Sequence, residues 1–144
     1  MKFRLLGAIR CLNTRLKRKV VNIPEIMELD DLSGTNGFII GYIYKSEKPV
    51  YQKDLEREFG ITRSTASKVL SLMEKKCLIE RKSVDSDARL KEIVLTKKAI
   101  ELNNKVISAL DRFDKKLLKG FANTEIELFY SFIKRVENNM ELED

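Results

Sequence analysis

ITRSTASKVLSLMEKKCLIERK, residues 61–82, sets apolar against polar side chains at helical spacing. Ala66, Val69, Leu70 and Met73 recur three and four apart, which puts them on one face of a helix. Thr62 stands just ahead of that face, where a hydroxyl can accept from the free backbone N–H groups of the first turn. Upstream, Tyr51, Leu55 and Phe59 define one face of a shorter helix, and Gly60 suits the left-handed position after a helix end. Only Ile61 separates Gly60 from Thr62. A helix, a very short turn and a second helix describe a helix-turn-helix, in which the second helix can enter a DNA major groove.

The next segment has the form of a wing. LIERKSV (78–84) and LKEIVLT (90–96) are both β-capable, and the polar DSDAR (85–89) between them predicts a hairpin with a charged tip. Thr96 then caps a long helix, about 97–118, in which Ala99, Asn103, Val106, Leu110, Phe113 and Leu117 alternate three and four apart, the spacing of a helix-pairing seam. Asn103 within it either sets pairing register or faces water. Beyond Gly120, Thr124 and Glu127 have the spacing of a capping box, and Phe129, Phe132, Ile133, Val136 and Met140 give a last helix an apolar stripe.

Toward the start of the chain, Ser33 is placed to cap a nearly apolar helix, about 34–46, that carries Phe38, Ile39, Ile40, Tyr42 and Ile43 and stops before Pro49. Leu5, Ile9, Leu12, Leu16 and Val20 predict an amphipathic first helix over 2–21, ended by Pro24. The fold class is therefore mainly α with a small β-wing: a winged helix-turn-helix core over 33–96, its helix-turn-helix about 51–76 and its wing about 78–96, flanked by helices at 1–22 and 97–144.

Composition limits the function classes. The 144 residues suit a single chain-long domain with 43% hydrophobic and 35% charged residues. No apolar run is long enough to cross a membrane, and the basic start is broken by Arg10 without a signal-cleavage pattern, so a soluble, cytoplasmic protein is expected. Cys11 and Cys77 form no CxxC pair and imply neither a disulfide framework nor a metal site. With no histidine, no GxxxxGK[ST] loop and no GxGxxG, the common catalytic triads, imidazole metal sites and nucleotide-binding loops are missing. No enzyme and no cofactor are expected. The net charge of +6 is uneven: residues 1–20 hold seven bases and no acid, 61–98 ten bases against five acids, and 121–144 two bases against six acids. A basic middle is what a phosphate-binding surface needs.

ITRSTASKVLSLMEKKCLIERK, the Asp-x-Arg pair Asp87 and Arg89, the strand end Leu95-Thr96 and the two closing helices together resemble the MarR family of bacterial transcription regulators, over nearly the whole chain. The resemblance implies a homodimer in which the first and last two helices of each chain interlock. Two winged cores then reach adjacent major grooves of double-stranded DNA at a pseudo-palindromic operator. It also implies a repressor, released by a small phenolic or other anionic effector or by oxidation.

The residues themselves supply the contacts. Outside the apolar face of the second helix of the motif stand Arg63, Ser64, Thr65, Ser67, Lys68 and Ser71, small hydroxyls and bases that can approach base edges and phosphates. Arg63 is suited to a bidentate guanine contact. On the wing, Arg89 can enter a minor groove, where negative potential concentrates, while the Asp87 carboxylate steadies its guanidinium. Lys82 and Lys91 flank the tip as phosphate contacts. The plainer readings are an ordinary polar helix face and a solvated turn.

Cys77 stands where the family pattern has glycine, and a small buried filler is expected there. Cys11 resembles the first-helix cysteine of the peroxide-sensing branch, with Arg4, Arg15 and Arg18 on its side and Tyr42 and Tyr44 as partners, so a thiol-based redox variant stays open. So does a winged helix that binds protein rather than DNA.

Overall fold

The structure is a computed structural model that describes residues 4–30 and 35–141. Within these the chain forms α1 (Leu5–Val20), α2 (Pro24–Asp30), α3 (Asn36–Lys45), α4 (Gln52–Phe59), α5 (Arg63–Lys75), β1 (Ile79–Val84), β2 (Asp87–Leu95), α6 (Lys97–Leu117) and α7 (Asn123–Glu141). The mainly helical class with a two-stranded antiparallel wing is as expected. Two compact units divide the chain, Met1–Ala109 and Leu110–Asp144.

In the first unit the core gathers around α3, α5 and the wing. Ile39 and Ile40 of α3, Leu55 of α4, Leu70 and Met73 of α5, and Ile79 of β1 are fully buried. Ile93 of β2 and Ala99 and Leu102 of α6 pack into the same cluster. Each large side chain of this kind contributes about 1.5–3 kcal/mol when taken from water, which makes the cluster the main support of the winged core. The apolar period of the α5 sequence is realised as expected: Ala66, Leu70 and Met73 point inward, and Val69 is half-buried.

The joints between these elements are closed by backbone and hydroxyl groups. Thr62 Oγ1 accepts from Thr65 N at 3.2 Å, capping α5. Gly60 takes φ 59° after α4, and Ile61 N donates to Glu56 O at 3.2 Å. At the other end of α5, Leu78 N donates to Met73 O and Cys77 N to Glu74 O, both at 2.9 Å, the paired bonds that end a helix through a left-handed residue. Thr96 Oγ1 accepts from Ala99 N at 3.2 Å and donates to Cys77 O at 2.6 Å, tying the start of α6 to the end of α5.

Four local expectations change. Pro24 opens α2 rather than ending α1, which already stops at Val20; a proline fits the first helical position because its missing N–H has no partner to lose there. α2 joins the core through Leu29, whose carbonyl accepts from Asn36 Nδ2 at 3.3 Å. Cys77 is exposed, not a buried filler, and it alone among the described non-glycine residues has a positive φ, 58°. Asn103 is buried, so it does not face water. The box expected from Thr124 and Glu127 is replaced by a half-box two residues earlier, since Thr124 lies inside α7: Ala122 N donates to Glu125 Oε2 at 2.7 Å, Ala122 has no polar side chain to return the bond, and its carbonyl accepts the first helical bonds. The expected cap at Ser33 lies outside the described residues.

The second unit holds the C-terminal turns of α6, a turn through Gly120 at φ 91°, and α7. None of the described residues of α7 is buried, and Phe129, Phe132 and Ile133 are 45%, 48% and 42% exposed. On α1, likewise without buried residues, Leu5, Leu6, Ile9 and Leu12 are exposed.

Candidate nucleic-acid interface

The outward face of α5 is built by subtraction. Ala66, Leu70 and Met73 fix the buried side, which leaves Arg63, Ser64, Thr65, Ser67, Lys68 and Ser71 exposed. The first turn is ordered by hydroxyl contacts: Thr62 Oγ1 donates to Thr65 Oγ1 at 2.9 Å and lies 3.2 Å from Ser64 Oγ. α4 holds that turn from behind, since Gln52 Nε2 donates to the Arg63 carbonyl at 3.3 Å. Arg63 is thus fixed by its backbone while its side chain stays in solvent.

The wing forms by regular pairing from Ile79 opposite Leu95 to Ser83 opposite Lys91. Beyond this the register shifts: Val84 pairs with Asp87, and Ala88, Arg89 and Leu90 bulge from β2 without partners across the ladder. Asp85 and Ser86 make the turn, so Asp87 and Arg89 belong to β2 rather than to the tip. A bulge re-aims side chains, and here it carries Arg89. The far edge of β2 is held as well, by the bond from Ile93 N to Val50 O at 2.8 Å.

Asp87 acts differently from the expectation. Its Oδ1 accepts from the Arg89 backbone amide at 2.9 Å, so it steadies the bulge backbone instead of gripping the guanidinium. An Asp side chain that bonds the amide two residues on is a common local turn device, favoured over a surface ion pair because it immobilises no long side chain. Lys91 Nζ donates to Ser83 Oγ at 2.6 Å, and Lys82 is exposed on the strand beside it.

Arg63 and Arg89 line one cleft between α5, the start of α4 and the wing. Its volume is about 390 Å³, and Lys53, Arg81 and Lys91 border it too. Arg81 is a member that the sequence reading missed, and its signal was strand alternation: it shares the inward face of β1 with Ile79 and sits opposite Ile93. Ser64, Thr65, Ser67, Lys68, Ser71 and Lys82 lie outside the cleft lining. Cys11 is exposed on α1, while Tyr42 packs edge-on against Phe59 with ring centres 5.9 Å apart. Among the described residues no group of His, Cys, Asp and Glu could hold a metal ion.

A family model described as the MarR family matches residues 30–90, the stretch from the end of α2 to the wing. The transcription regulator MarR from Oenococcus oeni PSU-1 is 33% identical over 90% of this chain and 97% of that chain, with a TM-score of 0.57. MepR of S. aureus, solved in complex with DNA, is 25% identical over 91% of this chain and 96% of its own, with a TM-score of 0.72. The heme sensor protein PefR, solved with heme and carbon monoxide, is 25% identical over 98% and 97% of the two chains, with a TM-score of 0.68. With the recognition-type helix, the bulged wing and these likenesses in agreement, the chain belongs to the MarR family of winged-helix transcription regulators.

Proposed function

We propose that this protein is a sequence-specific DNA-binding regulator that acts as a homodimeric repressor and releases its operator in response to a small effector. One observation carries the reading. An exposed helix face of Arg63, small hydroxyls and Lys68 stands beside a wing whose Arg89 shares a cleft with Arg63. Such a surface reads a major groove with the helix and a minor groove with the wing, while the basic residues around it neutralise phosphates. Arg63, Ser64, Thr65, Ser67, Lys68 and Ser71 serve the first groove, Arg89 the second, and Lys82 and Lys91 the backbone between them. Asp87 supports Arg89 through the backbone. The DNA complex of MepR supports the same use of the fold.

Dimerisation is supported by the exposed apolar residues of α1 and α7, which an isolated chain would leave in water. The effector has a candidate seat in a groove of about 430 Å³ where Tyr44, Val50, Val94 and Ile100 meet, between the end of α3, β2 and the first turn of α6. Its lining joins these apolar and aromatic side chains to Ser46, Glu47, Lys48 and Glu92, so it offers a ring surface together with groups that can bond a phenolic hydroxyl. Among the described residues no helix is long and apolar enough to cross a membrane, in keeping with action on DNA in the cytoplasm.

The test is selection of bound sequences from random duplex DNA by the purified chain, followed by affinity measurements across a salt series. A pseudo-palindromic site should emerge, binding should fall steeply with salt, and Arg63→Ala should weaken it by about 1–3 kcal/mol. Failure to enrich any sequence, with no salt-dependent binding, would leave the winged helix as a protein-interaction module. Adding phenolic compounds, other organic anions or peroxide to the bound complex identifies the releasing signal.

A further inference from the structure

We propose that Arg81 holds a backbone phosphate of the DNA strand that separates the major from the minor groove, seated in the cleft between α5 and the wing. The inference rests on the DNA-binding reading above. When a helix lies in one groove and a wing in the next, the sugar–phosphate strand dividing those grooves must pass between helix and wing. That space is the cleft bordered by Lys53, Arg63, Arg81, Arg89 and Lys91. Glu56 is the single carboxylate on its lining, and it accepts a hydrogen bond from Gln52 Nε2 at 3.0 Å.

Arg81 differs from the other four bases in being set back. Lys53, Arg63, Arg89 and Lys91 are exposed, whereas the Arg81 side chain is 26% exposed and on the inward face of β1. Its Nε and Nη2 are buried and have no hydrogen-bond acceptor among the described residues. Nε lies 3.4 Å from Glu74 Oε2, an attraction without hydrogen-bond geometry. Glu74 is on the last turns of α5, so the contact draws the guanidinium of the wing strand toward the recognition helix. The pair is half in solvent and adds little stability by itself, so its effect is orientation. The Arg81 guanidinium borders the cleft among four further cations while its Nε and Nη2 are shielded inside, so a phosphodiester oxygen seated there meets its charge and the part of the fork that faces the cleft. Set back from the outer face of α5, Arg81 takes the phosphate and leaves base edges to Arg63.

The decisive measurement is duplex affinity of the full chain, Arg81→Gln, Arg81→Lys and Glu74→Gln, on the selected site and on an unrelated duplex, each across a salt series. Arg81→Gln should weaken both duplexes by about the same factor, roughly ten- to a hundredfold, and lower the slope of log affinity against log salt by about one. Arg81→Lys should keep the slope and lose only part of the affinity, since it retains the charge without the fork. Glu74→Gln should bind within a few-fold of wild type. Circular dichroism melts confirm folding, and Arg81→Lys decides the matter if the glutamine variant does not fold. An unchanged slope in Arg81→Gln, or in either Arg81 variant a loss confined to the selected site or no loss at all, overturns the proposal. So does intact DNA affinity in Arg81→Gln together with lost binding of free inorganic phosphate or benzoate, which would assign the cleft to a small anion. If wild type binds neither duplex, the DNA-binding reading itself fails, a result distinct from all of these.

Discussion

At Cys77 the backbone sits at φ 58°, a conformation that costs a residue with a Cβ about 1 kcal/mol more than glycine. The chain accepts it because the helix end is over-determined: Met73 and Leu78 are buried together and joined by a backbone bond. Cys77→Gly should therefore raise the melting temperature by roughly 2–4 °C in calorimetry, and a fall would mean that the thiol has packing value unseen in its exposed position. The family pattern, with glycine at this position, left open whether the turn would differ or Cys77 would accept it, and the structure shows that Cys77 accepts it; its exposure was not legible, because burial depends on what passes over the site. Asp87 carries a similar lesson. As its carboxylate oxygen bonds the Arg89 amide, Asp87→Asn should keep operator affinity within about twofold, while Asp87→Ala and Arg89→Ala should each lower it, the latter by about 1–3 kcal/mol. Equal losses for Asn and Ala in fluorescence anisotropy would restore the guanidinium role.

Elements form where local pattern and cap agree. Thr62 and Thr96 were both readable as caps because a hydroxyl stands just before an apolar period, and both bonds are made. Thr96 has a second duty that no pattern announces, its bond to Cys77 O nineteen residues earlier. Thr96→Val removes both, so stability should drop by about 1–3 kcal/mol, more than the ~1 kcal/mol expected for Thr62→Ala in the same denaturant titration. α2 was missed because seven residues are too few to show a period and Pro24 reads equally as a stop or a start. The shifted start of α7 has another origin: Ala122 carries no capping side chain, so no pattern marks it, and the helix begins where the turn after Gly120 delivers the chain.

For the whole molecule, the apolar stripe of α7 matters most to assembly, since none of its described residues is buried. Phe129, Phe132 and Ile133 in water would oppose solubility, a cost that the proposed pairing with a second copy would remove. Sedimentation should show a dimer, and Ile133→Glu should shift it to monomer with roughly a tenfold or greater loss of operator affinity, because two half-sites then bind independently. A monomeric wild type removes this reading. Charge acts at the same scale: with +6 overall and ten bases over residues 61–98, the slope of affinity with salt should exceed that of a single contact several-fold.

By itself the sequence determined the helix-turn-helix, the wing and the polar face of α5, because each follows from periodicity and capping within a few residues. Only tertiary structure decided that Arg81 joins Arg63 and Arg89 at one cleft, that Asp87 serves a backbone amide, and that the β2 bulge carries Arg89. These depend on strand register and on which groups are left without acceptors once the core has closed, quantities set by contacts between residues far apart in the chain.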